Sequence, residues 1–504
     1  MRKTIKTSIL ISLTASAILA SSGCNKSSTG TPDPDPSSGI TLSNEQAPDQ
    51  SDSSIDLSDK TIINWFTNNM ITLSTDVVTA VNKRLDELGK PYAISFKHFP
   101  EESFEATVNE YISKKNAPDI ISASIGLAGQ LSGTYRAYKN SWLLDLSDYL
   151  HSEKGSILLN SVPESCWKAS SVNGSYIGLS TLLPLNTHKA YYVNRDILDT
   201  LDLKAEDLSN LKLLDLSQYL SQIDDDSCCK LDVSGCVNYY DIDGIYPLVT
   251  IGSQVDAIVY DIDLEKAVNV FDSEKVMYWI KCITDYKNKG YIDDHEKTNF
   301  FISIGPYDCL SYTIQDDYID SLKSKYPDAK NIIEIPYTET VIQTQYNSVT
   351  GICSSSNNLD MALDAFTTIM TDTALSDLLI YGINGKDYSL DISGNVIPDA
   401  TAWAFPMYYG NSFIASRKAS APSDLAEQYE KLKTPKFLGI YMDLSMYSEK
   451  ADIINSVTAD YKGLISGEYD NYEEILHDAL NKTADAGINE ILNDINSQMT
   501  SEQE

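Results

Sequence analysis

The sequence predicts an α/β fold of two or more lobes, with a mostly parallel sheet covered by helices. Three observations predict it. From Thr61 to Ile121 the chain alternates β-type runs with amphipathic helical runs, β-α-β-α-β, the pattern that builds a parallel sheet with helices on its faces. About 445 residues follow position 59, more than one hydrophobic core accommodates. Further on, Asn173-Gly174 stands between short apolar and aromatic runs, a two-residue hairpin signal because both turn positions need φ > 0.

The first residues address the chain rather than fold it. Arg2, Lys3 and Lys6 form a basic start, and Ile9 to Ala20 form an apolar run too short to favour a spanning helix, the pattern of a secretion signal over 1–23. Residues 24–59 are dominated by Ser, Thr, Pro, Asp and Gly, and Pro32-Asp33-Pro34-Asp35-Pro36 stiffens them into an extended, disordered tether.

In the first lobe, Thr61–Phe66 is a strand, and Ser74 caps a helix whose Val77, Val78, Val81, Leu85 and Leu88 share one face and whose end is Gly89. Tyr92–Phe99 returns as a strand. Phe104, Val108, Tyr111 and Ile112 mark a second helix, and Pro118-Asp119-Ile120-Ile121 opens a third strand. Ligands of such sheets bind beyond the carboxyl ends of the strands, here 65–69 and 122–126. Trp65 there is either a core tryptophan or a binding ring, since Asn64, Thr67, Asn68 and Asn69 surround it. After the hairpin, Ala190-Tyr191-Tyr192-Val193 is a strand leading into a helix start at Asn194-Arg195-Asp196. Leu211–Leu220 and Asp272–Tyr291 are helical, with Trp279 as packing, and the apolar run Phe300–Ile304 is a buried strand ended by Gly305-Pro306.

Charge and composition exclude several functions. With 38 basic against 72 acidic residues the net charge is −34, and removing the three leader cations takes it to −37. So acidic a surface does not suit nucleic acid or anionic lipid. Beyond Cys24, the cysteines Cys166, Cys228, Cys229, Cys236, Cys282, Cys309 and Cys353 are odd in number and form no pair of C-x-x-C units, so they are read as small buried thiols. A local bridge from Cys228 or Cys229 to Cys236 stays open. No metal is expected: His295-Glu296 lacks a second histidine, and an EF-hand with Gly244 at position six would need carboxylates at Tyr239 and Thr250. There is no G-x-S-x-G, P-loop or G-x-G-x-x-G either, and among 72 acidic residues a glycosidase-type carboxylate pair stays open.

Several stretches, in order, resemble the bacterial extracellular solute-binding proteins of family 1, the maltodextrin-binding type. Ser21-Ser22-Gly23-Cys24 resembles a lipobox, with Ser21 where Leu is usual, so removal of the leader by ordinary signal peptidase is the other reading. Trp142–Leu150 resembles an L-x-D-L element. Trp167–Leu198 resembles the W-x-A, N-G turn, Y-G-(I/L)-P and YYNKDLL signature, with Ser180 in place of the proline. Phe300–Tyr307 resembles an I-x-G-P-(W/Y) return crossing, Leu378–Tyr388 an L-L-x-Y-G-I-E-G-K-(D/H)-Y motif of one lipoprotein branch, and Ala486–Gln498 that branch's C-terminal helix.

The resemblance implies a two-lobed periplasmic-binding-protein-like fold, each lobe a mostly parallel sheet covered by helices, with a hinge between lobes. It puts 60–183 and 308–350 in lobe 1, and 184–307 and 351–499 in lobe 2. It implies a ligand site at Trp65, Phe66, Asn68, Ser122, Ser124, Asn186, Thr187, Tyr307, Trp403 and Phe405, where flat rings stack on pyranose faces and polar groups bond hydroxyls. For the aromatic stretch around Trp403 an exposed loop is the alternative. The implied function is a non-enzymatic, monomeric solute-binding lipoprotein, held by lipid on Cys24 at the outer face of the cytoplasmic membrane. It would take up a carbohydrate for an ABC permease and need no cofactor. A glycan-acting hydrolase, a sensing protein, and a peptide or other small organic ligand are the alternatives.

Overall fold

The computed structural model describes residues 57–68, 72–123, 133–180, 186–187, 189–209, 211–236, 238–239, 242–248, 250–251, 253–292, 295–305, 312–337, 341–342, 348–398, 409–417 and 425–501. The expected leader, Cys24 and tether lie outside these residues. Described residues contain no helix long and apolar enough to cross a membrane.

Strands β1 (Thr61–Thr67), β2 (Tyr92–His98) and β3 (Ile120–Ala123) run parallel, β1 in the middle, joined by helices α1 (Thr75–Glu87) and α2 (Glu101–Ser113). Ser74 caps α1 by accepting from the Val77 amide at 3.3 Å, and Gly89 ends it at φ +69°. A strand in the middle of a sheet with helices on both faces buries both its side-chain rows. Ile63 and Trp65 enter the core beneath α1, and Phe66 enters the one beneath α2. The hairpin turn closes at Val172 and Ser175 with φ +47° and +80° at Asn173 and Gly174. Its two strands amount to that one bridged pair.

From β4 (Leu179–Ser180) the chain passes through β5 (Asn186–Thr187) to β6 (Ala190–Asn194), whose Asn194 side chain caps the following helix. A second sheet then forms from β6, β7 (Cys228–Asp232), β12 (Asn299–Ile304) and β13 (Ile332–Pro336), in the order β13-β6-β12-β7. Between β7 and β12 lie β8 (Ile245–Pro247), β9 (Thr250–Ile251), β10 (Ile258–Asp261) and β11 (Lys266–Asn269). Helix Glu274–Asn288 follows them, with Trp279 buried and donating to the Ile465 carbonyl at 3.0 Å. The chain then returns through β14 (Val341–Ile342) to β15 (Val349–Ile352), which inserts between β3 and β4, antiparallel to both.

Here the expected segment boundaries need correction. The run 332–336 was assigned to lobe 1, yet it pairs antiparallel with β6, Ile333 opposite Val193. The return to lobe 1 follows β13 instead of following Phe300–Tyr307. Everything from 351 was assigned to lobe 2, yet β15 pairs with β3, and Phe366, Ile369, Leu375, Leu379 and Phe413 pack in the first-lobe core with Trp65. From Phe437 the chain rejoins the second core, through Ile440, Met442 and the helices ending in Ile488–Ser501. A short, mostly apolar strand is accepted by either sheet, so its pattern names no partner. The expected helix over 211–220 is a 3₁₀ turn followed by one short helix, Ser217–Leu220.

Candidate solute-binding site

Topology fixes where the two sheets meet. Val349, the first residue of β15, sits opposite Ala123, the last of β3, and opposite Ser180, the last of β4. In the other sheet Tyr191, at the start of β6, sits opposite Ile304, the last residue of β12. Strands β5 and β14 pair with each other between these points, Thr187 with Val341 and Asn186 with Ile342. The two crossings thus join the sheets at the carboxyl ends of their parallel strands, where open α/β sheets receive ligands. A third passage, Leu438–Met442, is held to the hairpin: Asn173 N–H donates to the Gly439 carbonyl at 2.9 Å, and the Tyr441 amide donates to Asn173 Oδ1 at 3.1 Å.

At the first-lobe ends, Trp65 Nε1 donates to Ser122 Oγ at 2.8 Å, and Ser122 shares a 2.6 Å hydrogen bond with Thr350 Oγ1. Asn68 Nδ2 donates to Glu101 at the start of α2, and Arg136 Nη1 donates to the same carboxylate at 2.6 Å. Arg136 lies on helix α3 (Gly133–Lys139). Tyr409 OH donates to Thr67 Oγ1 at 3.5 Å. At the second-lobe ends, Asp232 closes β7 and accepts from Lys325 Nζ at 3.2 Å and Ser303 Oγ at 3.4 Å. Tyr191 and Tyr337 stack with centroids 4.1 Å apart, beside the first crossing, where the Tyr337 amide donates to the Lys189 carbonyl. Asp243 is open to solvent, yet the protein packed around it pushes its carboxyl pKa up, against the pull of Lys275 and Lys189.

The expected residues fall into three groups. Trp65 and Phe66 are 0% and 1% exposed, so neither ring has a face for a ligand, and their expected contact role is corrected. Trp65 is enclosed by Phe96 at 5.1 Å and Tyr409 at 5.6 Å, Phe66 by Phe99 at 4.8 Å and Tyr111 at 4.9 Å. The surrounding asparagines suggested an open site, but helices cover both faces of this central strand. Asn68 and Ser122 sit buried in the polar networks just described, and Asn186 and Thr187 lie on the β5 crossing. Ser124, Tyr307, Trp403, Phe405 and Cys24 lie outside the described residues.

Sequence reasoning missed Glu101, Arg136, Thr350, Asp232 and Tyr337. Glu101 was within reach, because it opens a helix directly after a parallel strand, as the carboxyl-end rule requires. The six described cysteines other than Cys24 and Cys309 are buried free thiols, so Cys228 and Cys229 form no bridge to Cys236. Among the described residues no group of three or more His, Cys, Asp or Glu is placed to hold a metal.

No family model and no curated protein matches the sequence. Solved structures do match the fold. The N-glycan transport solute binding protein NgtS of Streptococcus pneumoniae superposes with a TM-score of 0.63 at 16% identity, covering 88% of this chain and 99% of its own. An HMO-binding, ABC-transporter-associated solute-binding protein of Bifidobacterium longum infantis gives 0.52 at 12% identity, with 87% and 98% covered. An extracellular solute-binding protein of family 1 from Alicyclobacillus acidocaldarius gives 0.50 at 12% identity, with 87% and 100% covered. This chain has the two-lobed α/β fold of the extracellular solute-binding proteins.

Proposed function

We propose that this protein is the extracellular solute-binding component of an ABC importer, that it captures an oligosaccharide between its lobes, and that it delivers the sugar to the permease. The observation that carries the reading is the joining of the two sheets, by paired crossing strands, at the carboxyl ends of both. A solute seated there touches both lobes only when they close, and that difference in affinity drives closure. The sugar class is supported by the proteins of like fold, described as N-glycan and HMO binders. On this reading Asn68, Ser122, Asn186 and Thr187 lie at or beside the site, and Tyr307, Trp403 and Phe405 supply its rings. The chain acts as a monomer without catalysis or cofactor, anchored by lipid on Cys24 to the outer face of the cytoplasmic membrane.

A thermal-shift screen of the mature chain against oligosaccharides, peptides and small organic ions tests the proposal. A sugar at ~100 times its Kd stabilises the native state by about 2.7 kcal/mol, a readable rise in melting temperature. A saturable shift with one sugar series is expected, weakened in Trp403→Ala. A shift confined to peptides or ions discards the sugar, and turnover of a glycan by the purified chain discards the pure receptor.

A further inference from the structure

We infer, building on the proposed sugar-receptor function, that the oligosaccharide taken by this site carries no anionic group: no uronate, sialic acid, sulfate or phosphate. Two observations, one of side-chain pairing and one of sequence, carry the inference.

Described cations at the carboxyl ends of the two sheets are already opposed. The Arg136 guanidinium, nearly buried, holds Glu101 at 2.6 Å. Lys325 holds Asp232 at 3.2 Å. Lys275, beside the end of β10 in the separate three-stranded sheet β11-β10-β8, lies between Asp261 at 2.6 Å and Asp263 at 2.8 Å. Lys189 is buried within the field of Asp243. Lys97, near the end of β2, rests over the Phe66 ring at 5.6 Å, with its pKa lowered by burial and Asp119 as its opposing charge.

The stretches that follow β1, β3, β4, β12 and β13 in the sequence carry no cation of their own. Although 38 of the 504 residues are Lys or Arg, none falls in 68–74, 124–135, 181–188, 305–322 or 337–348. None falls in 399–416 either, the stretch holding Trp403 and Phe405. The charged residues in these stretches are all acidic: Asp308, Asp316, Asp317, Asp320, Glu339 and Asp399.

A ligand carboxylate stripped of water needs a cation or several donors aimed at it, and proteins that read carboxylates use guanidinium forks for this. Here an incoming carboxylate meets guanidinium and ammonium groups whose partners it would have to displace, leaving Glu101 or Asp232 uncompensated. A neutral sugar makes no such demand. Its hydroxyls both donate and accept, so they bond carboxylates, amides and hydroxyls as these stand. The net charge of −34 adds repulsion toward polyanions at longer range, screened by salt.

Calorimetric titration of the full mature chain with matched pairs tests this. The pairs are a neutral mannose and N-acetylglucosamine oligosaccharide against the same glycan capped with sialic acid, and maltohexaose against an oligogalacturonide of equal length. In the pair that binds, the neutral member is expected to bind at least about tenfold more tightly, which is about 1.4 kcal/mol. The gap narrows as salt screens the repulsion. In Glu101→Gln the gap also narrows, because Arg136 loses its counter-charge. An anionic member that binds as tightly as its neutral partner, with affinity falling as salt rises, overturns the inference. Binding by no member of either pair, together with a response to a peptide or small ion, discards the sugar reading and this inference with it.

Discussion

Gly439→Ala tests how the third passage between the lobes is held. Gly439 has φ +78°, and a Cβ built on it would lie 2.3 Å from Ser171 Oγ, 2.7 Å from the Lys168 carbonyl oxygen and 3.4 Å from the Ser171 carbonyl oxygen. The left-handed conformation alone costs an L-residue about 1–2 kcal/mol. Ser171 Oγ can rotate away only by giving up its 2.8 Å bond to the Lys168 carbonyl, and that carbonyl is backbone of a buried helix, so overpacking adds about 1–3 kcal/mol. The sum is roughly 2–5 kcal/mol. Gly394→Ala separates the two contributions, because Gly394 has φ +82° with nothing within 4 Å of its Cβ position, and only the conformational cost remains. Urea unfolding followed by tryptophan fluorescence reads both. A Gly439→Ala chain as stable as Gly394→Ala, or within about 0.5 kcal/mol of the parent, would refute the tight docking of the passage on the 168–173 segment.

Further outcomes follow from the same geometry. Ser122→Ala leaves Trp65 Nε1 without its acceptor and removes the Ser122–Thr350 hydrogen bond, so it should cost about 1–3 kcal/mol in urea unfolding, with a changed tryptophan emission. Burial pushes the Asp372 carboxyl up, but the Arg84 guanidinium and the Leu375 amide outweigh it and hold the pKa below the usual range. A depressed folded pKa stabilises above the unfolded value of about 3.9 and is lost as pH falls through the folded one. The destabilisation in Asp372→Asn should therefore shrink as unfolding is measured at pH values descending through that window. The six described thiols are buried, and burial raises the pKa of Cys166, Cys228, Cys282 and Cys353, the last two to about 11, so the six should resist a thiol-specific reagent in the native state and react once urea is added.

Local signals were the legible part of this chain. The Asn173-Gly174 turn, the Ser74 cap, the Gly89 stop and the β-α-β-α-β order each follow from one or two residues acting on their neighbours, and each is present. Sheet membership was not legible. Ile332–Pro336 and Val349–Ile352 are both short and mostly apolar, and only the edges they meet decide that one extends the second sheet and the other enters the first. For Trp65 the polar flanks pointed outward, whereas the helices packed on both faces of β1 decide its burial. Glu101 and Arg136 are 35 residues apart and meet only in the fold, so spacing carried no sign of their pairing, although Glu101 itself stood at a readable helix start.

Small-angle scattering of the mature chain, alone and with a saturating concentration of the oligosaccharide giving the largest thermal shift, tests capture by closure most directly. The account predicts a smaller radius of gyration at one bound sugar per chain, with the change lost in a variant that no longer binds. A profile unchanged at saturation would contradict it, because a solute that draws the two sheets together cannot leave the distance between the lobes as it was.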